Sequence, residues 1–311
     1  MQKPRRPRRP LPLRDGVDPV RIRLADPGQG PRSIPEELRR RFPDRLAELE
    51  AALAAGQVVT ADGEPVTDAT RRRRGMDVWT YRTPAPEVPV PFEIGILHRD
   101  ERLVVVDKPH FLATTPRAGH VTETALVRLR RDLGLDDLAP AHRLDRLPAG
   151  VLVLTVAPAH RGAYQELFAA RRVDKTYLAV APAPVGTPEV RERSSRIHKT
   201  RGILQAAEVH GEPDAHTRIT LLEARGTGAD RLGLYPLEPT TPRTHHLPAH
   251  MNALGTPILG DDLYPRVRAV GPADFSRPLQ LLAEVIGFTD PVSAEKRQFR
   301  TRRTLESWPP G

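Results

Sequence analysis

A chain of 311 residues, 39% of them hydrophobic, is long enough for two domains and apolar enough to fold, which excludes wholesale disorder. Its 48 lysines and arginines outnumber 39 acids, and a net charge of +9 points to a polyanionic partner, nucleic acid first among them. The absence of cysteine removes disulfides, thiolate nucleophiles and cysteine-ligated metal centres, and no run approaches the ~20 apolar residues of a membrane span.

Only five of the cations are lysine. Arginine offers a planar fork that pairs phosphate oxygens and stacks on bases, although a GC-rich genome biases composition the same way. The basic N-terminus is followed by no apolar stretch of signal-peptide length, so the expected location is cytoplasmic.

Residues 1–18, rich in proline and arginine, have almost nothing to bury and are expected to form a disordered basic arm. In residues 35–55, Leu46, Leu49 and Leu53 share one helical face, which predicts a helix after Pro43 that stops at Gly56. Strand-like residues flank Asp62–Gly63, a hairpin signal, and the run Arg71 to Arg74 leads through Gly75 into a short strand. This succession over residues 19–82 resembles the small S4-type RNA-binding module, and implies RNA contacts from Arg72 and Arg73. Residues 83–91, "TPAPEVPVP", read as a stiff proline-rich linker.

The second domain covers residues 92–311, and in it "ERLVVVDKP" reads as a buried strand ending at Lys108–Pro109. A helix follows with Leu126, Leu129 and Leu133 on one face and Gly134 as its stop. "GVLVLTVA" is a second buried strand, and Tyr164, Leu167 and Phe168 mark the next helix. "KTYLAVA" and "DAHTRITLLEA" add two strands, and "MNALG" closes a last helical turn. Mixed helices and strands with short, antiparallel-looking connections indicate an α+β class.

One carboxylate stands out. In "AHRLDRLPAGVLVLT", Asp145 sits among His142, Arg143 and Arg146, just before Pro148, Gly150 and a buried strand. A loop held by a rigid sheet is where catalytic groups often lie. A carboxylate starts from a pKa of ~3.9 and neighbouring cations push it lower, so Asp145 stays ionised: a poor acid, but a nucleophile that needs no activating base. By residue type alone, an Arg–Asp loop clamp is the commoner explanation of an aspartate beside arginine.

The whole segment "HRLDR…AGVLVLT" closely resembles the catalytic motif of the RluA-type family of pseudouridine synthases. "ILHRDERLVVVDKPHFLATTP" is similar to that family's first strand and Lys-Pro turn, "VDKTYLAV" to the segment carrying its active-site tyrosine, and "PRTHHLPAHMNALGTPILGDDLYP" to its late Arg-Thr-His motif. The likeness runs from about residue 92 to 290. It implies a pseudouridine synthase fold: a mixed, mostly antiparallel sheet with flanking helices and a central cleft. It also implies an enzyme that breaks the N1 glycosidic bond of a uridine in ribosomal or transfer RNA, turns the base and rejoins it through C5.

The same resemblance gives the catalytic roles. Asp145 forms the covalent adduct, Arg243 pairs with its carboxylate, and Tyr177 packs on the uracil and assists removal of the C5 proton. Arg143 fills the space left by the flipped-out base. Arg146, Lys108 and His245 are further expected RNA contacts, and Arg196, Lys199 and Arg201 belong to "RERSSRIHKTR", which reads as a backbone-gripping loop. Extruding a base costs a few kcal/mol, which phosphate contacts offset. No metal or organic cofactor is needed, since nothing is oxidised or hydrolysed, and no obligatory protein partner is evident.

The chain also departs from the family pattern. Pro148 and Ala149 stand where Thr and Ser are usual, His246 replaces a glutamine and Pro248 an arginine. The competing expectation is therefore a catalytically weakened RNA-binding or ribosome-assembly protein of the same fold. His245, His246 and His250 lack the carboxylate cluster a metal site calls for.

Overall fold

The computed structural model describes residues 9–26, 28, 30–117, 119–241 and 243–309. The chain divides into two units between Pro86 and Glu87.

The smaller unit holds a three-stranded antiparallel sheet in the order β1 (Val20–Arg23), β3 (Asp77–Thr80), β2 (Val59–Thr60). Two helices, α1 (Ile34–Arg41) and α2 (Leu46–Ala54), pack with it. Ser33 caps α1 through its hydroxyl, and the helix breaks ahead of Pro43, which leads a single 3-10 turn into α2. The helix foreseen after Pro43 is therefore α2, ending at Gly56 with φ +65°. Its expected face is incomplete: Leu49 is buried, but Leu46, at the first residue after the break, is 43% exposed. The core comes instead from Ile34 and Leu38 of α1, with Val58, Val66 and Val78.

Arg72 does not face outward as expected for an RNA contact. It is buried 2.7 Å from the Glu37 carboxylate, and donates to the Asp26 carbonyl at 3.1 Å. A buried charge needs such a partner, and here the pair ties the basic turn to α1. Arg73, next to it, is exposed. Residues 1–8 of the expected disordered arm lie outside the described residues. The remainder is folded onto its own unit: Arg14 and Val17 form a bridge, Arg9 pairs with Asp18, and the Tyr81 hydroxyl donates to the Pro12 carbonyl at 3.1 Å.

The larger unit starts within the stretch read as linker. The Glu87 carboxylate accepts the N–H groups of Val121, Thr122 and Glu123 at 2.8–3.1 Å, and Glu123 accepts the N–H of Val90 at 2.8 Å. Its strands are β4 (Gly95–Arg99), β5 (Leu103–Lys108), β6 (Ala139–Pro140), β7 (Ala149–Thr155), β8 (Asp174–Pro182), β9 (Val190–His198), β10 (Ala207–Val209), β11 (Ala215–Thr220), β12 (Glu223–Arg225), β13 (Leu232–Pro239), β14 (Leu281–Thr289) and β15 (Lys296–Arg300). The helices are α3 (Ala125–Leu133), α4 (Pro158–Ala169) and α5 (His246–Ala253). The main path of the sheet runs β10-β9-β11-β13-β8-β14-β7-β5-β4, and among the described strands every pairing is antiparallel except β7 with β14.

β5 and β7 are buried on both faces. On one face Val104, Val106, Leu152 and Leu154 meet Leu126 and Leu129 of α3; on the other Leu103, Val105, Val151 and Val153 meet Tyr164, Leu167 and Phe168 of α4. A neighbouring core gathers Ala179, Ala181, Tyr235 and Leu237 with Leu247 and Met251 of α5. Leu147 and Tyr177 pack against both this core and the α3 core, so the loop before β7 sits where the two meet. The parallel β7–β14 pairing requires Gly150. Its φ is +112°, and a Cβ there would lie 2.2 Å from the Ala283 carbonyl oxygen.

The segment read as a backbone-gripping loop is mostly strand β9. Period-2 alternation turns Arg191 and Arg193 inward, where Arg193 pairs with Glu208 and Arg191 lies over the Tyr235 ring.

Candidate functional site

Asp145 lies on the loop between β6 and β7, with its side chain 43% exposed. Leu144 is buried in the α3 core and Leu147 is anchored at the junction of the cores, leaving Arg143 exposed and Asp145 and Arg146 half-buried. Proline at 148 fixes the backbone just before β7.

The loop is gripped by its own main chain. The Thr114 hydroxyl donates to the Leu144 carbonyl at 2.6 Å and accepts the Leu144 N–H at 3.1 Å. His110 Nδ1 donates to the Leu147 carbonyl at 2.8 Å. Lys108, fully buried, donates its ammonium to the carbonyls of Pro109 and Leu112 at 2.9 Å and more weakly to that of Arg146 at 3.4 Å. Lys108 was expected to touch RNA; it is instead an internal brace, because the strand that carries it is buried on both faces. Burial pushes its pKa down to about 7, the Asp145 charge opposes that fall, and Arg303 and Arg146 add to it. Burial likewise pushes His110 down to about 4, so it stands neutral with its Nδ1 proton committed to Leu147.

Among the described residues three more groups feel the Asp145 charge. Tyr177, on β8, has its phenol pushed well above the ordinary range by burial and then by the Asp145 carboxylate. His245 places Nε2 3.7 Å from Asp145 Oδ2. Burial pushes His245 down, against the pull of Asp145. It occupies the left-handed region at φ +58°, directly before α5. His246 also feels the Asp145 charge, but it is buried and its Nδ1 donates to the Arg243 carbonyl at 2.8 Å.

Arg243 was expected to pair with Asp145. Its Nη2 lies 2.9 Å from Asp214 Oδ2 instead. Asp214 is fixed at the head of β11, where its Oδ1 accepts the Ile197 N–H at 3.0 Å, and so offers Arg243 a ready anion. The structure sets Tyr177, His245 and Lys108 within the electrostatic reach of Asp145 and leaves Arg243 on Asp214.

The remaining expected RNA contacts are spread over the surface. Arg196, on β9, and Arg201, in the loop after it, are exposed. Lys199 folds back, its ammonium meeting the carbonyls of Ile203, Leu204 and Gln205. Pro248 falls in the first turn of α5, where its missing N–H costs no helical bond. His250 is fully buried between Ser195 Oγ at 3.0 Å and Thr217 Oγ1 at 2.9 Å, so both its nitrogens are engaged. Among the described residues no group of three or more His, Asp and Glu is arranged to hold a metal ion.

Sequence reasoning did not single out His110, Thr114, Asp214 or the structural role of His250. The first two follow the Lys-Pro turn closely enough to have been read as its continuation. Asp214 carries no local signal, since its partner is far along the chain.

Comparisons with known proteins fit this geometry. The model of the RNA pseudouridylate synthase family matches residues 102–253, from the residue before β5 to the last residue of α5. An uncharacterized RNA pseudouridine synthase from Synechocystis is 31% identical over 211 residues, which is 66% of this chain and 70% of that one. The dual-specificity RNA pseudouridine synthase RluA of Escherichia coli K12 is 31% identical over 215 residues, 66% of this chain and 91% of that one. Among solved structures, the human RNA pseudouridylate synthase domain containing 1 superposes with a TM-score of 0.55 at 24% identity, over 68% of this chain and 84% of that one.

Proposed function

Because this chain belongs to the RluA-type family of RNA pseudouridine synthases, we propose that Asp145 is the nucleophile with which it isomerises uridine, and that its targets lie in ribosomal or transfer RNA. The observation that carries the assignment of Asp145 is the loop itself. Three side chains, Lys108, His110 and Thr114, hold the carbonyls of residues 144, 146 and 147, and so present one half-exposed carboxylate towards Tyr177 and His245.

Such a group suits covalent catalysis. It needs no base to activate it, and as a carboxylate it leaves again when C5 of the turned base attacks the sugar. Tyr177 gives the uracil an aromatic face. In this reading Arg143, exposed beside Asp145, fills the gap left by the extruded base, and the half-buried Arg146 meets a flanking phosphate. On the larger unit the exposed Arg196 and Arg201 offer cations to the RNA backbone, and on the smaller unit Arg73 does the same. The smaller unit, with its exposed basic turn, is read as an S4-like RNA-binding module, and the enzyme as one that acts in the cytoplasm without a protein partner. No helix among the described residues is long and apolar enough to cross a membrane.

Release of tritium from RNA labelled at uridine C5 tests the assignment. Wild type is expected to release it, and Asp145→Asn to bind the same RNA without release. Release by the Asn variant at the wild-type rate would remove Asp145 from the role. Mapping of pseudouridine across cellular RNA with and without this protein identifies the target.

A further inference from the structure

Every pseudouridine synthase must dispose of one proton. Whatever the order of the earlier steps, rejoining the base through C5 leaves a tetrahedral carbon that still carries its hydrogen. That C–H bond must break, its electron pair becoming the C5=C6 double bond, while the electrons of the C6=N1 bond move to N1, which picks up a proton from water. A base within reach of C5 has to accept the hydrogen.

Among the described residues Lys108, Tyr177, His245 and His246 feel the Asp145 charge, and three of them are unsuited. Lys108 has its ammonium directed at backbone carbonyls inside the protein. Tyr177 holds its phenolic proton, since burial and the nearby carboxylate both oppose ionisation. His246 is buried against Arg243, with its Nδ1 proton committed to that residue's carbonyl.

His245 differs on each count. Its Nε2 is 3.7 Å from Asp145 Oδ2, close but not hydrogen-bonded. Its side chain is 21% exposed, so the ring is reachable from solvent. Nδ1 is buried and makes no hydrogen bond. The residue is held at φ +58°, a conformation that costs about 1 kcal/mol or more outside glycine and that clusters at functional sites.

We propose that His245 is the base that takes the C5 proton, with Asp145 beside it steadying the imidazolium that forms. The proposal rests on Asp145 being the nucleophile. Burial and the neighbouring Lys199 keep the free ring neutral and therefore able to accept, while the Asp145 charge favours the proton once it arrives. After displacement from the sugar the Asp145 carboxylate is again negative, so the charge that steadies the imidazolium appears at the step that needs it. The imidazolium then returns its proton to solvent.

The test uses the full chain and His245→Asn, because asparagine tolerates the left-handed backbone at this position. Substrate RNA carries hydrogen, deuterium or fluorine at C5 of the target uridine. The Asn variant is expected to slow pseudouridine formation by about 10²-fold or more, and to show an isotope effect larger than that of wild type. It is expected still to rearrange 5-fluorouridine RNA, whose C5 bears no proton to remove. His245→Gly is expected to regain rate as imidazole is added to the buffer.

Equal loss on uridine and fluorouridine, with no change in isotope effect and no imidazole rescue, would make His245 a positioning residue and overturn the proposal. So would an Asn variant at the wild-type rate. If Asp145→Asn retained activity, the nucleophile reading would fall first and this proposal with it. A melting temperature unchanged from wild type shows that either variant is folded.

Discussion

The brace on the Asp145 loop makes a prediction whose sign is set by pH. Lys108→Met keeps the length of the side chain and removes the ammonium that meets the carbonyls of Pro109, Leu112 and Arg146. Leaving the two closer carbonyls buried without donors costs about 1–3 kcal/mol each, less what is regained by no longer burying an amine. The pH dependence is cleaner. In the fold the Lys108 pKa falls from 10.5 to about 7. Between those values the unfolded chain holds the proton and the native one does not, so wild-type stability rises with pH. Over the whole window the shift is worth about 5 kcal/mol, of which about 2 kcal/mol falls between about pH 7 and about pH 9. Methionine has no such proton, so the deficit of the variant is expected to grow by that amount as pH rises. Urea unfolding measures it. Trp308, buried in the larger unit, reports that unit alone once Trp79 of the smaller one is replaced by phenylalanine. A deficit that stays flat from about pH 7 to about pH 9 would refute the buried, partly neutral amine.

Thr114→Val leaves the Leu144 N–H and C=O without their shared hydroxyl; a loss of about 2 kcal/mol in urea unfolding is expected, with a slower single-turnover rate on RNA. Glu37→Gln removes the carboxylate charge paired with the buried Arg72 guanidinium, and Trp79 fluorescence should show the smaller unit destabilised by about 3–5 kcal/mol. Tyr177→Phe keeps the aromatic face and deletes only a phenol that does not ionise, so tritium release is expected to stay within about tenfold of wild type, far above His245→Asn.

Much of this fold was legible because it rests on local rules. The both-face burial of β5 and β7 shows in their runs of Val and Leu, the αL stop of α3 in Gly134, and the turn after β2 in Asp62–Gly63. Asp145, Tyr177 and His245 were named from ordered motifs, and the structure brings them together. What failed concerned the fate of cations. A lysine or arginine in a sequence looks like surface, yet Lys108 and Arg72 are interior struts, and Arg193 and Lys199 serve their own strand and loop. The partner of a charge is set by tertiary neighbours: Asp214 takes Arg243, and no spacing in the chain announces it.

The way the Asp145 loop is held has an evolutionary corollary. Lys108, His110 and Thr114 grip carbonyls, which every amino acid supplies, and not the side chains at 143, 145 or 146. Positions 143 and 146 are thereby free to drift, or to be randomised in a library, without dislodging the carboxylate between them. A scaffold of this kind lets new RNA preferences be sampled while the chemistry is inherited intact.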